Sequence, residues 1–170
     1  MVGEKLLSGD AFKASDNNYD WLGPGIYFWE NNPERAMTWA ALRLKNPSES
    51  YAVGAVIDLG YCLDLTTQSA STALVRSFEQ LEAAAKMAGL PLPMNSSDSD
   101  QLRRNLDCAV IRTLHQTLED EGAMPVDTVK GVFVEGGPLF PGSAIRALTH
   151  CQIAVRNPSC IKGVFRIPGA

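Results

Sequence analysis

The spacing of apolar and polar residues changes along the chain and sorts it into short strands and longer helices. Ile26, Tyr27, Phe28 and Trp29 form an apolar run of strand length, with Ile26 and Phe28 facing one way and Tyr27 and Trp29 the other. Gly23, Pro24 and Gly25 before it predict a sharp turn whose glycines leave the backbone bare, so that a ligand or another strand can come close. After it, Asn32 suits an N-cap, Pro33 a first helical position and Glu34 the positive end of a helix. That helix is predicted to run to about Lys45, where Asn46 and Pro47 stop it.

Elsewhere the pattern is as readable. The opening MVGEKLLSGDAF reads as a helix ending near Ser8 and Gly9, and Ser15 to Tyr19 as a polar loop. Tyr51 to Leu65 has strand composition, with Gly54 and Gly60 as bulge or turn points. Leu74, Phe78, Leu81 and Ala85 fall near helical spacing in a stretch from Ser69 to Ala88 that stops at Gly89. Pro91 to Asp100 is a linker of prolines, serines and aspartates. Leu106, Val110, Leu114 and Leu118 mark a second helix over Leu102 to Glu121.

Toward the end, Thr128 to Glu135 reads as a strand and Gly136 to Gly142 (GGPLFPG) as a loop, with Ser143 capping a turn of helix through Leu148. Strands at Cys151 to Arg156 and Cys160 to Ile167 surround a turn at Asn157 and Pro158. Strands outnumber helices, and the helices cluster mid-chain. The expected fold class is α+β, with two small packed, mostly antiparallel sheets in one domain over residues 1–170, in preference to a doubly wound parallel sheet.

Composition narrows the function. With 170 residues, 45% hydrophobic and 20% charged, the chain supports one good core. Its net charge of -4 argues against a broad basic surface for duplex nucleic acid, though Arg35, Arg43 and Lys45 on one helix are candidates for a narrow basic strip or for a solvated face. No apolar run approaches the roughly twenty residues that cross a bilayer, and no secretion signal opens the chain, so a soluble cytoplasmic protein without membrane association is expected. Cys62, Cys108, Cys151 and Cys160 show no CxxC spacing and read as buried, reduced thiols, and with only His115 and His150 beside them no metal site is expected.

The residues that carry chemistry start at GPGIYFWEN. Followed by ERAMTWA, this run resembles the second motif of the ADP-ribosyltransferase superfamily, closest to its poly(ADP-ribose) polymerase-like branch, which reads roughly G-x-G-I-Y-F and then a helix bearing an aromatic. The resemblance implies a split-sheet fold and NAD as substrate, with Tyr27 stacking on nicotinamide and Gly23, Gly25 and Phe28 matching its neighbours. The helix aromatic falls near Thr38 by direct count and is carried to Trp39. Ser15, Asp20 and Trp21 are further candidates for contacting the ligand, against plainer roles in turn or core.

A second stretch, HCQIAVRNPSCIKGVF, is similar to the family's last conserved strand and places Gln152 where the family has a catalytic glutamate. A carboxamide accepts a hydrogen bond from a ribose hydroxyl but carries no charge and cannot act as a base. Alternation puts His150 and Gln152 on one strand face. Glu135, at the end of GVFVEGG, is the competing carboxylate, and Leu139 and Phe140 beyond it serve either target recognition or anchoring of their loop.

Met1 to Leu7 carries nothing like the family's first motif, so the expected domain lacks its first strand. The leading expectation is a toxin-like mono-ADP-ribosyltransferase that takes NAD and modifies a protein or nucleic acid, its catalysis crippled by that loss, with an antitoxin as partner. The alternative is a catalytically dead module of the same fold that binds NAD, ADP-ribose or a partner.

Overall fold

A computed structural model describes residues 2–43, 50–96 and 102–168. The elements in chain order are α1 (Val2–Leu7), β1 (Ile26–Trp29), α2 (Pro33–Arg43), β2 (Val53–Ile57), β3 (Cys62–Asp64), α3 (Gln68–Ala88), α4 (Asn105–Asp120), β4 (Thr128–Phe133), β5 (His150–Val155) and β6 (Ile161–Arg166). The class is α+β, as expected. One sheet has the order β1-β5-β4-β3 and the other pairs β2 with β6. All neighbours run antiparallel except β3 and β4, which are parallel.

Local signals account for most element ends. Asn32 accepts from the Arg35 amide at 3.0 Å and starts α2 at Pro33, as its sequence suggests. Thr67 caps α3 through the Ala70 amide, and Gly89 closes it in the left-handed conformation at φ 66°. The start of α4 is different. Its own preceding residue, Arg104, offers no side-chain cap, and Asn95 from the linker accepts from the Leu106 and Asp107 amides instead. A cap supplied from ten positions upstream explains why this helix begins later than its apolar spacing suggests.

The expectations for Gly54 and Ser143 are corrected, and that for Gly60 as a turn holds. Gly54 is not a bulge: the register shift falls between Val56 and Ile57, and Gly54 is bare because a side chain there would lie 2.2 Å from the Phe165 ring. Gly60, at φ 55°, is the turn that sends β2 and β3 into different sheets. Ser143 starts no helix, because residues 136–148 form a hairpin-like excursion in which Leu139 donates to Ile145 and Ala147 to Gly137. The predicted ends of the helix from Pro33, at Lys45, and of the linker, at Asp100, lie outside the described residues.

Two apolar clusters hold the layers together. Leu22, Ile111, Leu114, Val126, Val129 and Ala154 join one face of the four-stranded sheet to α4, with Trp21, Tyr27 and Leu63 packed against them. On the opposite face, Ile26, Ile153, Val155 and Cys160 meet Ile57 and Ile161 of the smaller sheet, with Phe12 and Phe28 at the margin. Strand alternation is what divides β1 and β5 between these two cores. No helix among the described residues is long and apolar enough to cross a membrane.

Candidate functional site

Register assembles the site. β1 pairs with β5 so that Trp29 stands opposite Gln152 and Tyr27 opposite Ala154, while β4 sets Gly131 opposite Gln152 and Phe133 opposite His150. Directly opposed residues of antiparallel strands share a face, so Tyr27, Trp29, Phe133, His150 and Gln152 all project to the side covered by α4. Trp21 completes the layer by lying over Gly131, where a side chain would meet its ring at 2.8 Å.

Gln152 is the centre of a polar chain with one possible direction. The Trp21 indole can only donate, and its Nε1 lies 2.6 Å from Gln152 Oε1. Gln152 Nε2 lies 3.0 Å from His150 Nε2, and His150 Nδ1 lies 2.7 Å from the Leu148 carbonyl oxygen. A carbonyl only accepts, so His150 carries its hydrogen on Nδ1 and receives the Gln152 amide hydrogen on Nε2. His150 and Gln152 are both buried. Trp21 and His150 also flank Phe133, with ring centres 5.0 and 5.6 Å away.

Beside this chain sits a buried ion pair. One terminal nitrogen of Arg35 contacts both oxygens of Glu135 at 2.7 Å, the two side chains being only 10% and 12% exposed. Glu135 Oε2 is 3.8 Å from His150 Nδ1. Arg35 and Trp39 are four residues apart on α2, hence on one helix face, and the guanidinium carbon is 5.9 Å from the Trp39 ring centre. Trp29 lies between Trp39 and His150, at 6.1 and 6.4 Å. Arg35 Nε and Trp29 Nε1 are buried donors with no acceptor among the described residues.

The structure therefore brings Trp21, Trp39, Glu135, His150 and Gln152 into one cluster. Other candidates lie apart from it. The Tyr27 ring packs against the main core, and its hydroxyl donates to the Gly23 carbonyl at 2.8 Å while accepting from the Leu22 amide at 3.0 Å. Burial pushes the phenol well above its usual pKa, so it stays neutral. Tyr27 thus locks the Gly23 to Gly25 turn onto its own strand. Phe28 faces the opposite core, edge-on to Phe12 at 5.4 Å.

Ser15 bridges Gly25 through backbone bonds, and its hydroxyl oxygen accepts from Asn17. Asp20 likewise bonds Asn17, which is the turn role weighed for it. Gly23 adopts φ 76° with Ile111 against its missing side chain, and Gly25 lies so near β5 that a side chain would sit 3.0 Å from the Val155 carbonyl oxygen. Thr38 is exposed while Trp39 turns to the sheet. Arg35 is not part of a surface strip, since it is buried against Glu135, and the side chains of Arg43 and Lys45 lie outside the described residues.

Two cavities open elsewhere. One of about 470 Å³ lies between α3, α4 and β3, walled by residues such as Asp64, Arg76, Gln80 and Leu118, none of them a candidate from the sequence. The second, about 370 Å³, adjoins Pro24 and Gly25. The cysteines are all unpaired, but only Cys108 and Cys160 are buried as expected, while Cys62 and Cys151 are partly exposed. Burial, and a bond to Glu30, push the Cys151 thiol up to about 11, which removes it as a nucleophile at neutral pH.

Arg35 and Trp29 are the residues that motif reading undervalued. The four-residue step from Arg35 to Trp39 was the available signal for the first, and strand alternation with Tyr27 for the second. No family model, curated protein or solved structure matches the chain.

Proposed function

We propose that this chain is an ADP-ribosyltransferase-like domain that takes NAD at the Gln152 face and transfers ADP-ribose to a macromolecular acceptor, protein or nucleic acid. The observation that carries the reading is the convergence of Trp21, Trp39, Glu135, His150 and Gln152 from four separate segments onto one sheet face beside α2. Gln152 Oε1 has a second lone pair after accepting from Trp21, so it keeps an acceptor for a ribose hydroxyl. The aromatic rings around it suit a flat pyridine amide.

In the reaction the glycosidic bond to nicotinamide breaks, neutral nicotinamide leaves, and the acceptor nucleophile bonds to the ribose carbon while losing a proton. Glu135 is the carboxylate of the cluster and the group that takes this proton on our reading, released from Arg35 as the ligand enters. A cytoplasmic, toxin-like setting with an antitoxin partner fits the same activity.

One observation favours the second reading, a module that binds NAD or ADP-ribose without turnover. Gln152 is neutral, and both ends of its amide are already bonded within the protein. Incubation with NAD, followed by chromatography for nicotinamide and by calorimetry, separates the readings. Heat together with nicotinamide release supports transfer, heat alone supports the binding module, and the absence of both overturns the NAD assignment.

A further inference from the structure

We propose that the cavity beside the Pro24–Gly25 turn binds a small oxyanion, phosphate or carboxylate, through the Arg156 guanidinium. The cavity measures about 370 Å³ and is walled by Pro24, Gly25, Pro125, Asp127, Arg156 and Asn157. It lies just past the C-terminal end of β5, four residues beyond Gln152, and the inference stands whether or not the Gln152 face handles NAD.

Arg156 is a partly buried cation short of compensation. One terminal nitrogen donates to the Val126 carbonyl at 3.0 Å, and no other hydrogen bond of its side chain occurs among the described residues. None of the ion pairs among the described residues involves it. Desolvation holds its pKa below the ordinary arginine value, with only the charge of Glu119 on α4 opposing that trend. Close to it is His115, which burial keeps neutral, so the imidazole offers Arg156 no compensating charge and adds no second cation.

The one acid in the cavity wall is already engaged. Asp127 accepts from Asn157 Nδ2 at 2.7 Å through one oxygen and from the Tyr61 amide at 2.9 Å through the other. The wall thus includes Arg156, whose guanidinium has donors left over after the bond to Val126, together with Pro24 and Pro125. A planar fork of N–H groups matches the oxygens of phosphate and carboxylate, and partial burial strengthens the attraction relative to bulk water. The space admits either group together with part of the molecule that bears it.

The test is an amide-resolved NMR titration of the whole chain with inorganic phosphate, and separately with acetate, against sodium chloride at matched ionic strength. Saturating shifts at Gly25, Asp127 and Asn157 with phosphate or acetate are expected, and which of the two saturates at the lower concentration identifies the group. Arg156→Gln weakens binding at least about tenfold, and Arg156→Lys, which keeps the charge but not the fork, weakens it less. Glu119→Gln, an exposed change outside the cavity, tightens binding about twofold by removing the opposing charge. Shifts that fail to saturate, that chloride reproduces, or that persist in Arg156→Gln overturn the site. Should that variant not fold, an unchanged affinity in Glu119→Gln overturns it instead.

Discussion

The Trp21 indole nitrogen donates to the Gln152 carboxamide oxygen at 2.6 Å across 131 positions of chain. The bond ties the loop before β1 to the middle of β5, and Gly131 on β4 leaves the space in which the indole lies. Gly131→Ala should therefore lift Trp21 from Gln152, because a methyl group 2.8 Å from the ring cannot be accommodated without moving it. We expect a loss of roughly 1–3 kcal/mol in urea unfolding and a shift of the Trp21 indole N–H resonance. An unmoved resonance would argue against the contact.

Exchanging Gln152 for Glu tests the direction of the polar chain. The new carboxylate still accepts from Trp21, but it has no hydrogen to offer His150 Nε2, so two acceptors face each other. At neutral pH the expected cost is about 1–3 kcal/mol in chemical unfolding, whereas Gln152→Met, which removes both polar ends, also leaves the indole unsatisfied and costs a comparable amount. Should Gln152→Glu prove neutral, the hydrogen-bond order assigned here is wrong. Under the transferase reading the same exchange supplies a charge for the oxocarbenium-like state, and nicotinamide release should rise in spite of the lower stability.

The Arg35–Glu135 pair predicts a non-additive cycle. Each partner is about nine-tenths buried, so Arg35→Met or Glu135→Leu alone leaves a charge without its mate and should destabilise by roughly 3–5 kcal/mol. Combining Arg35→Met with Glu135→Leu should cost less than the sum of the two single changes, because no unpaired charge remains. Denaturant midpoints of the four proteins give the coupling directly.

His115 should make the fold sensitive to acid. The residue is 7% exposed, neither ring nitrogen has a partner among the described residues, and burial, helped by Arg156 and Arg112, lowers its pKa from 6.5 to about 4. The folded form thus takes up a proton less readily than the unfolded one. Its contribution is fully present above pH 6.5 and is lost as the pH falls toward 4, on the order of 2–3 kcal/mol in all. His115→Phe should flatten this part of the profile, which thermal unfolding between pH 7 and 4 measures; an identical slope in the variant would remove His115 as the cause.

Tyr27→Phe separates a locking role from a ligand role. Without the hydroxyl, the Leu22 amide loses its acceptor and the Gly23 carbonyl its donor, at an expected cost of about 1–3 kcal/mol. Gly23→Ala should be worse, since it combines a strained φ of 76° with a 2.8 Å approach to Ile111. Calorimetry with NAD then shows whether Tyr27→Phe changes binding beyond its effect on folding.

Elements with a local cause were legible in the sequence: the bare turn at Gly23 to Gly25, the strand Ile26–Trp29, the Asn32 and Gly89 helix ends, and the shared face of His150 and Gln152. Each follows from spacings of a few residues, the range over which backbone geometry and capping act. The motif reading pointed to Tyr27 and Gln152, and the end of an apolar strand to Glu135, but neither said what each would touch.

Those contacts depend on partners far away in the chain. Which strand lies beside β5, that Trp21 fills the gap over Gly131, that Arg35 turns inward to Glu135, and that Asn95 caps α4 are all decided by packing. Alternation specifies a face, but only register across strands and the volume left by a neighbour specify which side chain meets which.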